Sequence, residues 1–319
     1  SCSLSKNGIP FFDRLHEGAK MSDYKVALFG LGAMGFGMAN ALCRSGLTTY
    51  GFDLDTAAET RFRECGGAIG DLDKTAPFLD AAVIVVVNAE QTETVLFGKD
   101  GIAGKLAPGT VIIACATVAP DFARAMEARC SERDLLYLDA PISGGTLKAG
   151  DGTLAILASG TSQAFAKARP ALDAMAARVF ELGESAGAGS SMKAVNQMLT
   201  GVQIAAMAEA LTFGMTQGVT PTQFLEVMSQ CAGTSWALEN RAPSIVSGDY
   251  KPLSAVDIWP KDLGIVLDIA RAAKFGAPIT AATLQQYLAA SGSGLGSEHD
   301  SAVAKVYARN AGLTLPGQE

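Results

Sequence analysis

The stretch "KVALFGLGAMGFGMANAL", from Lys25 to Leu42, constrains the fold of this chain more than any other. An apolar run of strand type ends at Gly30. Gly30, Gly32 and Gly35 follow in the spacing G-x-G-x-x-G, and helical spacing begins at once. Glycines at those offsets permit a tight turn, the approach of backbone to a pyrophosphate, and close packing of helix on strand. The helix N-terminus then supplies free N–H groups and a positive dipole for phosphates. Such a triplet is weak evidence alone, but here Asp53 closes a second apolar run about 20 residues on. Gly30, Leu31, Gly32, Ala33, Met34 and Gly35 are therefore the candidate phosphate loop, and Asp53 the candidate partner of a ribose diol. A carboxylate there accepts hydrogen bonds from the ribose hydroxyls of NAD and repels a 2′-phosphate. Asp55 adds negative charge, and the next arginine is Arg61, so NAD is expected over NADP. The plainer alternatives are packing turns for the glycines and a helix N-cap for Asp53.

The same alternation continues for half the chain. Runs at 25–30, 48–53, 81–88, 110–116, 135–141, 152–160 and 178–183 read as strands, several of them wholly apolar. Parallel strands covered on both faces have that composition. Segments such as 33–45, 56–65 and 120–132 between them have helical spacing. The pattern predicts a doubly wound, mostly parallel α/β sheet of Rossmann type. After Gly183 the strand signal stops, and helical patterns follow at 188–216, 221–231, 261–275, 279–291 and 300–310. The expected division is a leader over 1–22, a dinucleotide-binding domain over 23–185 and an all-helical domain over 186–319. The Gly/Ser/Ala stretch at 183–191 marks the junction, and a long helix leads out of it.

Composition narrows the functions. With 49% hydrophobic and 18% charged residues over 319 positions, large cores are expected and disorder is not. A net charge of −7 argues against nucleic acid or an anionic membrane as partner. No apolar run reaches the ~18–20 residues of a membrane span without polar breaks. The six cysteines are scattered without a CxxC, the usage of reduced thiols in a cytoplasmic protein. Only two histidines occur, His16 and His299, which disfavours a histidine metal site or a Ser-His-Asp triad, and no metal is expected. Proton chemistry would then fall to Lys, Tyr, Asp or Glu.

Ligands of open α/β sheets sit at the carboxyl ends of the strands. Val87 and Asn88, and Thr117, end two of the runs and are candidate contacts for the nicotinamide half. An Asx-turn at Asn88 and a helix cap at Thr117 are the simpler readings. "DAPISGGTLKAG" sets Ser143, Gly144, Gly145 and Thr146 after another strand, where glycine N–H groups and a hydroxyl form a small anion nest suited to a carboxylate. Lys193 is the one charged residue between Glu184 and Glu209. Asn196 and Gln197 lie three and four residues further, on the same helical face. A lysine there either snorkels its head to water or, desolvated, serves as a general acid/base. Oxidation of an alcohol needs such a base. Lys261 with Asp262, and Ser235, Trp236 and Asn240, are further candidates for the crevice.

Four ordered motifs, "GLGAMGFGMA", "DAPISGG", "GAGSSMK" and "KDLGIV", resemble those of the β-hydroxyacid dehydrogenase family, over about Tyr24 to Tyr307. The resemblance implies a Rossmann domain, a helical domain behind a long interdomain helix, and a homodimer or homotetramer. It implies that Lys193 is the catalytic lysine and that Ser143, Gly144 and Gly145 hold the substrate carboxylate. By it, Lys261 lies near cofactor and substrate, and Thr117 contacts the nicotinamide side. The chain departs from the family where Gln197 replaces an asparagine, Ala116-Thr117 a Ser-Thr pair and Asn88-Ala89 a Leu-Pro pair. These changes point away from 3-hydroxyisobutyrate. "VVNAEQTETVLFG", "GLTTYGFDL", "AGTSWALENR" and "SAVDIWPKDLG" resemble the branch that oxidises the 2-hydroxyl of L-threonate with NAD⁺. The expected ligands are thus NAD and a small hydroxy acid. The alternatives are reduction of a semialdehyde such as tartronate semialdehyde, a non-catalytic NAD-binding protein, and imine reduction.

Overall fold

The computed structural model describes residues 22–318. The expected leader over 1–22, with His16 in it, lies outside the described residues up to position 21. Five parallel strands form the first sheet: β1 (Ser22–Phe29), β2 (Leu47–Phe52), β3 (Ala81–Ile84), β4 (Val111–Ala114) and β5 (Leu136–Asp139), in the order β2-β1-β3-β4-β5. The order reverses between β1 and β3, where a crevice opens beyond the carboxyl ends of the strands. Helices α1 (Gly35–Arg44), α2 (Thr56–Glu64), α3 (Leu72–Thr75), α4 (Ala89–Phe97) and α5 (Pro120–Ser131) connect them.

The sheet is buried by alternation. Val26, Leu28, Val83 and Ile113 point into one core, shared with Met38 and Leu42 of α1. Ala27, Phe29, Ile84 and Ile112 point into the other, shared with Leu96 of α4 and Met126 of α5. A side-chain period of two puts neighbours on opposite faces, so continuous apolar runs can be buried on both.

The sheet does not continue past β5, contrary to a single doubly wound sheet. A second sheet follows, of β6 (Ile142–Ser143), β7 (Leu154–Ala158) and β8 (Ala176–Glu181), with β6 antiparallel and β8 parallel to β7. Helices α6 (Gly145–Asp151) and α7 (Ser162–Met175) join its strands. The expected run at 135–141 breaks at Asp139 because Pro141 has no N–H for a ladder. The two-residue β6 was too short to read from sequence.

Beyond β8 the chain is helical: α8 (Ala188–Thr216), α9 (Pro221–Met228), α10 (Trp236–Ser247), α11 (Ile258–Ala272), α12 (Pro278–Ala290) and α13 (Ala304–Asn310). The expected helix over 300–310 is a 3₁₀ turn at 300–303 followed by α13. The helix α10 carries Pro243 in its interior and was not expected. By length and composition, α8, with 29 residues, is apolar enough to cross a membrane. It is instead the axis of a core, with Ile204, Ala208 and Leu211 packed among Leu238, Trp259, Leu263 and Tyr287. Trp259 of α11 fits against Gly201 of α8, where a Cβ would come 2.8 Å from the indole.

Candidate active site

The candidate phosphate loop has the geometry its glycines require. Gly30 has φ +99, and a Cβ there would meet the Val85 carbonyl oxygen at 2.2 Å, so β1 and the strand end of β3 close on each other only with glycine. A Cβ at Gly35 would strike the Gly30 carbonyl, which sets the helix hard against the turn. At Gly32 a Cβ would meet nothing within 4 Å. Its missing side chain faces open space, as the approach of a pyrophosphate to backbone demands. Asp53 Oδ2 accepts from Leu31 N at 2.5 Å and Oδ1 from Asp55 N at 2.9 Å, which aims the carboxylate beside the loop. Asp55, not Asp53, is the N-cap of α2. A cleft of about 560 Å³ is lined by Leu31, Gly32, Ala33, Phe36, Asp53 and Arg61 among others. Sequence distance hid Arg61. One helical turn and a half after Asp55, it lies in the cleft wall with its guanidinium 4.7 Å from the centre of the Phe36 ring. These residues fit a dinucleotide whose ribose hydroxyls meet Asp53.

At the strand ends the simpler readings hold in part. Asn88 caps α4, its Oδ1 accepting from Gln91 N at 2.8 Å. Val87 is exposed, and its N–H donates to Gln91 Oε1 at 2.9 Å. Thr117 is half-buried past the end of β4. It does not cap α5, whose N-cap is Ala119.

The reactive end is assembled by a carboxylate that sequence reasoning passed over. Asp139, buried at the end of β5, accepts from Gly187 N at 2.9 Å, Ser190 N at 2.8 Å and Ser190 Oγ at 2.7 Å. Helix α8 has no side-chain cap of its own, so Asp139 caps it from across the fold. Burial raises the Asp139 pKa, and the bonds from Ser190, Gly187 and Ser159 oppose that rise. Gly187 takes φ +104, and a Cβ on Gly189 would lie 2.4 Å from the Leu157 carbonyl oxygen. The glycines of "GAGSSMK" thus let α8 start against the second sheet.

One turn further, Lys193 is 7% exposed, and its Nζ donates to the Ile142 carbonyl at 2.9 Å. Ile142 is the residue before Ser143, so the lysine and the Ser143-Gly144-Gly145 turn adjoin. Gly144 and Gly145 have φ +137 and +74 at the start of α6, conformations that favour glycine. Burial pulls the Lys193 pKa down to about 8. The Asp262 carboxylate opposes this, and the Lys261 ammonium adds to it.

Asp262, a sequence candidate for the crevice beside Lys261, is 2% exposed, and its link to Gln197 was not readable from sequence. Its Oδ1 pairs with Lys261 Nζ at 2.5 Å, and its Oδ2 accepts from Gln197 Nε2 at 2.5 Å. Gln197 Oε1 in turn accepts from Asn196 Nδ2 at 2.9 Å. The structure therefore brings Lys193, Asn196, Gln197 and Lys261 together. It does not bring Ser235 to them by any hydrogen bond among the described residues. The Ser235 hydroxyl caps α10, accepting from Leu238 N at 3.1 Å. His299 is also apart, buried and capping the 300–303 turn.

The parallel sheet followed by a helical half is the architecture of an NAD-dependent dehydrogenase. The chain belongs to the 3-hydroxyisobutyrate dehydrogenase-like family of β-hydroxyacid dehydrogenases. Residues 25–183 match the NAD binding domain of 6-phosphogluconate dehydrogenase. Residues 187–307 match the NAD-binding family of NADP-dependent 3-hydroxyisobutyrate dehydrogenase. The chain is 46% identical to an L-threonate dehydrogenase of Cupriavidus necator, over 92% of this chain and 98% of the relative. It is 42% identical to the Escherichia coli K12 L-threonate dehydrogenase, over 93% and 98%. A crystal structure of 3-hydroxyisobutyrate dehydrogenase from Salmonella typhimurium superimposes with TM-score 0.83 at 41% identity, covering 89% of this chain and 99% of that one. The chain is an oxidoreductase of hydroxy acids.

Proposed function

We propose that the protein oxidises the 2-hydroxyl of L-threonate, giving 2-dehydro-L-erythronate, with Lys193 as general base. The observation that carries this reading is the buried Lys193 amine, 2.9 Å from the carbonyl next to Ser143. It puts a base and an anion-binding turn within one small substrate of each other. Ser143, Gly144 and Gly145 hold the carboxylate through a hydroxyl and backbone N–H groups. A hydroxyl on the adjacent carbon then falls to Lys193 Nζ. The neutral amine takes the hydroxyl proton as the carbonyl forms. The hydride of the same carbon would pass to bound NAD⁺. Gly30–Gly35 and Asp53 would hold its pyrophosphate and ribose, and Val87, Asn88, Thr117 and Lys261 would contact its nicotinamide half. Burial of Lys193 keeps a useful share of it neutral near pH 8. The identity to L-threonate dehydrogenases over most of the chain favours this acid.

The same reading divides the chain into a dinucleotide-binding domain over 23–185 and a helical substrate and assembly domain over 186–319. It makes the protein a cytoplasmic homodimer or homotetramer. The test is NADH formation at 340 nm with L-threonate, D-threonate, D- and L-erythronate, D-glycerate and 3-hydroxyisobutyrate, each with NAD⁺ and NADP⁺. Turnover of L-threonate with NAD⁺ is expected. Activity confined to glycerate or 3-hydroxyisobutyrate would overturn the substrate. Lys193→Ala is expected to lower kcat by about 10²–10⁴-fold with NADH binding intact. Near-normal turnover in that variant would remove the lysine from the chemistry.

A further inference from the structure

The amides beside Lys193 have a direction, and a single buried carboxylate sets it. An ionised carboxylate accepts hydrogen bonds and donates none. Asp262 Oδ1 is occupied by the Lys261 ammonium at 2.5 Å, so this acid stands in an ion pair. Its Oδ2 faces the Gln197 amide at 2.5 Å, and only the NH₂ end of that amide can meet it. Gln197 is 8% exposed, and its Oε1 is thereby turned toward Asn196. Asn196 must answer with its own NH₂, and does so at 2.9 Å. The atom left over at the end of this chain is the Asn196 carbonyl oxygen. It is carried on the half-buried side of α8 three residues beyond Lys193, on the same helical face.

We propose that Asp262 is a positioning residue that orients both amides, so that Asn196 offers an acceptor to a chain hydroxyl of the substrate. The site thereby selects polyhydroxy acids over their deoxy analogues. This rests on the reading of Lys193 and Ser143–Gly145 as the reactive end. An acceptor rewards a hydroxyl donor at C3 or C4 and offers nothing to a methyl or methylene. An acid lacking those hydroxyls would also leave the Asn196 carbonyl desolvated and unpaired, which is how polar sites reject apolar analogues. Gln197 acts in this scheme through Asn196, both ends of its amide being engaged.

The experiment compares L-threonate with 2-hydroxybutyrate, which keeps the carboxylate and the 2-hydroxyl and lacks the other two. For the wild type, kcat/KM is expected to favour L-threonate by at least about 10²-fold. Asn196→Leu should lower kcat/KM for L-threonate by about 10–100-fold and leave 2-hydroxybutyrate within a few-fold. Asp262→Asn keeps the volume and frees Gln197 to turn, so it should erode the same ratio while the fold, followed by circular dichroism, persists. Equal losses on both acids, or an unchanged ratio in both variants, would overturn the proposal. Calorimetry on the NADH-bound enzyme reads the same preference without chemistry. Tighter binding of L-threonate that is lost in Asn196→Leu supports the orientation even if the wild type turns over neither acid, an outcome that sinks the proposed reaction alone. Equal binding of the two acids to the wild type overturns the inference whatever the turnover.

Discussion

At the scale of single residues, the proposed chemistry turns on the proton of Lys193. An ordinary lysine is charged at neutral pH and is no base. Desolvation in the start of α8 disfavours the charged form and brings this one down to about 8, although the nearby Asp262 carboxylate favours the proton. Below that value the amine is protonated and cannot accept the hydroxyl proton. Initial rates of oxidation, as kcat/KM, are therefore expected to rise with pH and to level off above about 8. The reverse reduction needs the ammonium as acid and should fall over the same range. Rates independent of pH from 6 to 9 in both directions would show that another group carries the proton. Lys193→Arg keeps the charge and removes the titration, and should be as inactive as Lys193→Ala.

At the scale of elements, α8 is placed by its neighbours and not by its own ends. It starts at a glycine with φ +104 and has no side-chain cap within its own sequence, and β5 supplies the cap through Asp139. Asp139→Asn preserves the shape and sets an amide where two backbone donors and the Ser190 hydroxyl now converge. A cost of about 1–3 kcal/mol is expected from the donors left unpaired. Gly189→Ala forces a Cβ against two carbonyl oxygens, at 2.4 Å and 2.7 Å, both of them backbone. Backbone cannot yield as a side-chain tip does, so α8 has to shift and carry Lys193 away from Ile142. Urea unfolding together with steady-state kinetics checks both variants. Lowered midpoints and a reduced kcat, with NADH affinity kept, are expected. A Gly189→Ala enzyme with an unchanged midpoint and kcat would show that the close approach positions nothing.

At the scale of the whole molecule, three cores account for the burial: one on each face of the first sheet and one around α8. What stays exposed is informative. Met192, Val195 and Leu199 form an apolar stripe on α8 at i, i+3 and i+7, and Phe275 just before α12 and Ile279 in its first turn are exposed. Monomers seldom leave such clustered apolar surface to water. Light scattering is expected to give two or four times the chain mass of 32.8 kDa. A mass of one chain across micromolar concentrations would refute the expected assembly.

Much of this was legible in the one-dimensional pattern. The seven longer strands, the parallel sheet and the helical second half follow from local periodicity, because burial on both faces leaves a continuous apolar run and a helix repeats every 3.6 residues. Gly30 and Gly35 were readable for the same reason: their constraint is local, a turn and the helix after it. Lys193 stood out because it is the one charge between Glu184 and Glu209. The residues that sequence missed are those whose partners lie far along the chain. Asp139 caps a helix 48 residues away; Asp262 and Arg61 were named from sequence, but not the bond of Asp262 to Gln197, 65 residues away, or the place of Arg61 in the cleft of Asp53. The break after β5, set by Pro141, and the capping of α10 by Ser235 are local effects that the pattern of apolar runs does not register. Sequence by itself determined most of the elements and marked out the glycine turn after β1 and Lys193, since each depends on neighbours within a turn or a strand. Tertiary structure decided which buried acid meets which donor, and so the direction of the amides and the proton affinity of Lys193, because desolvation and hydrogen bonding act through space.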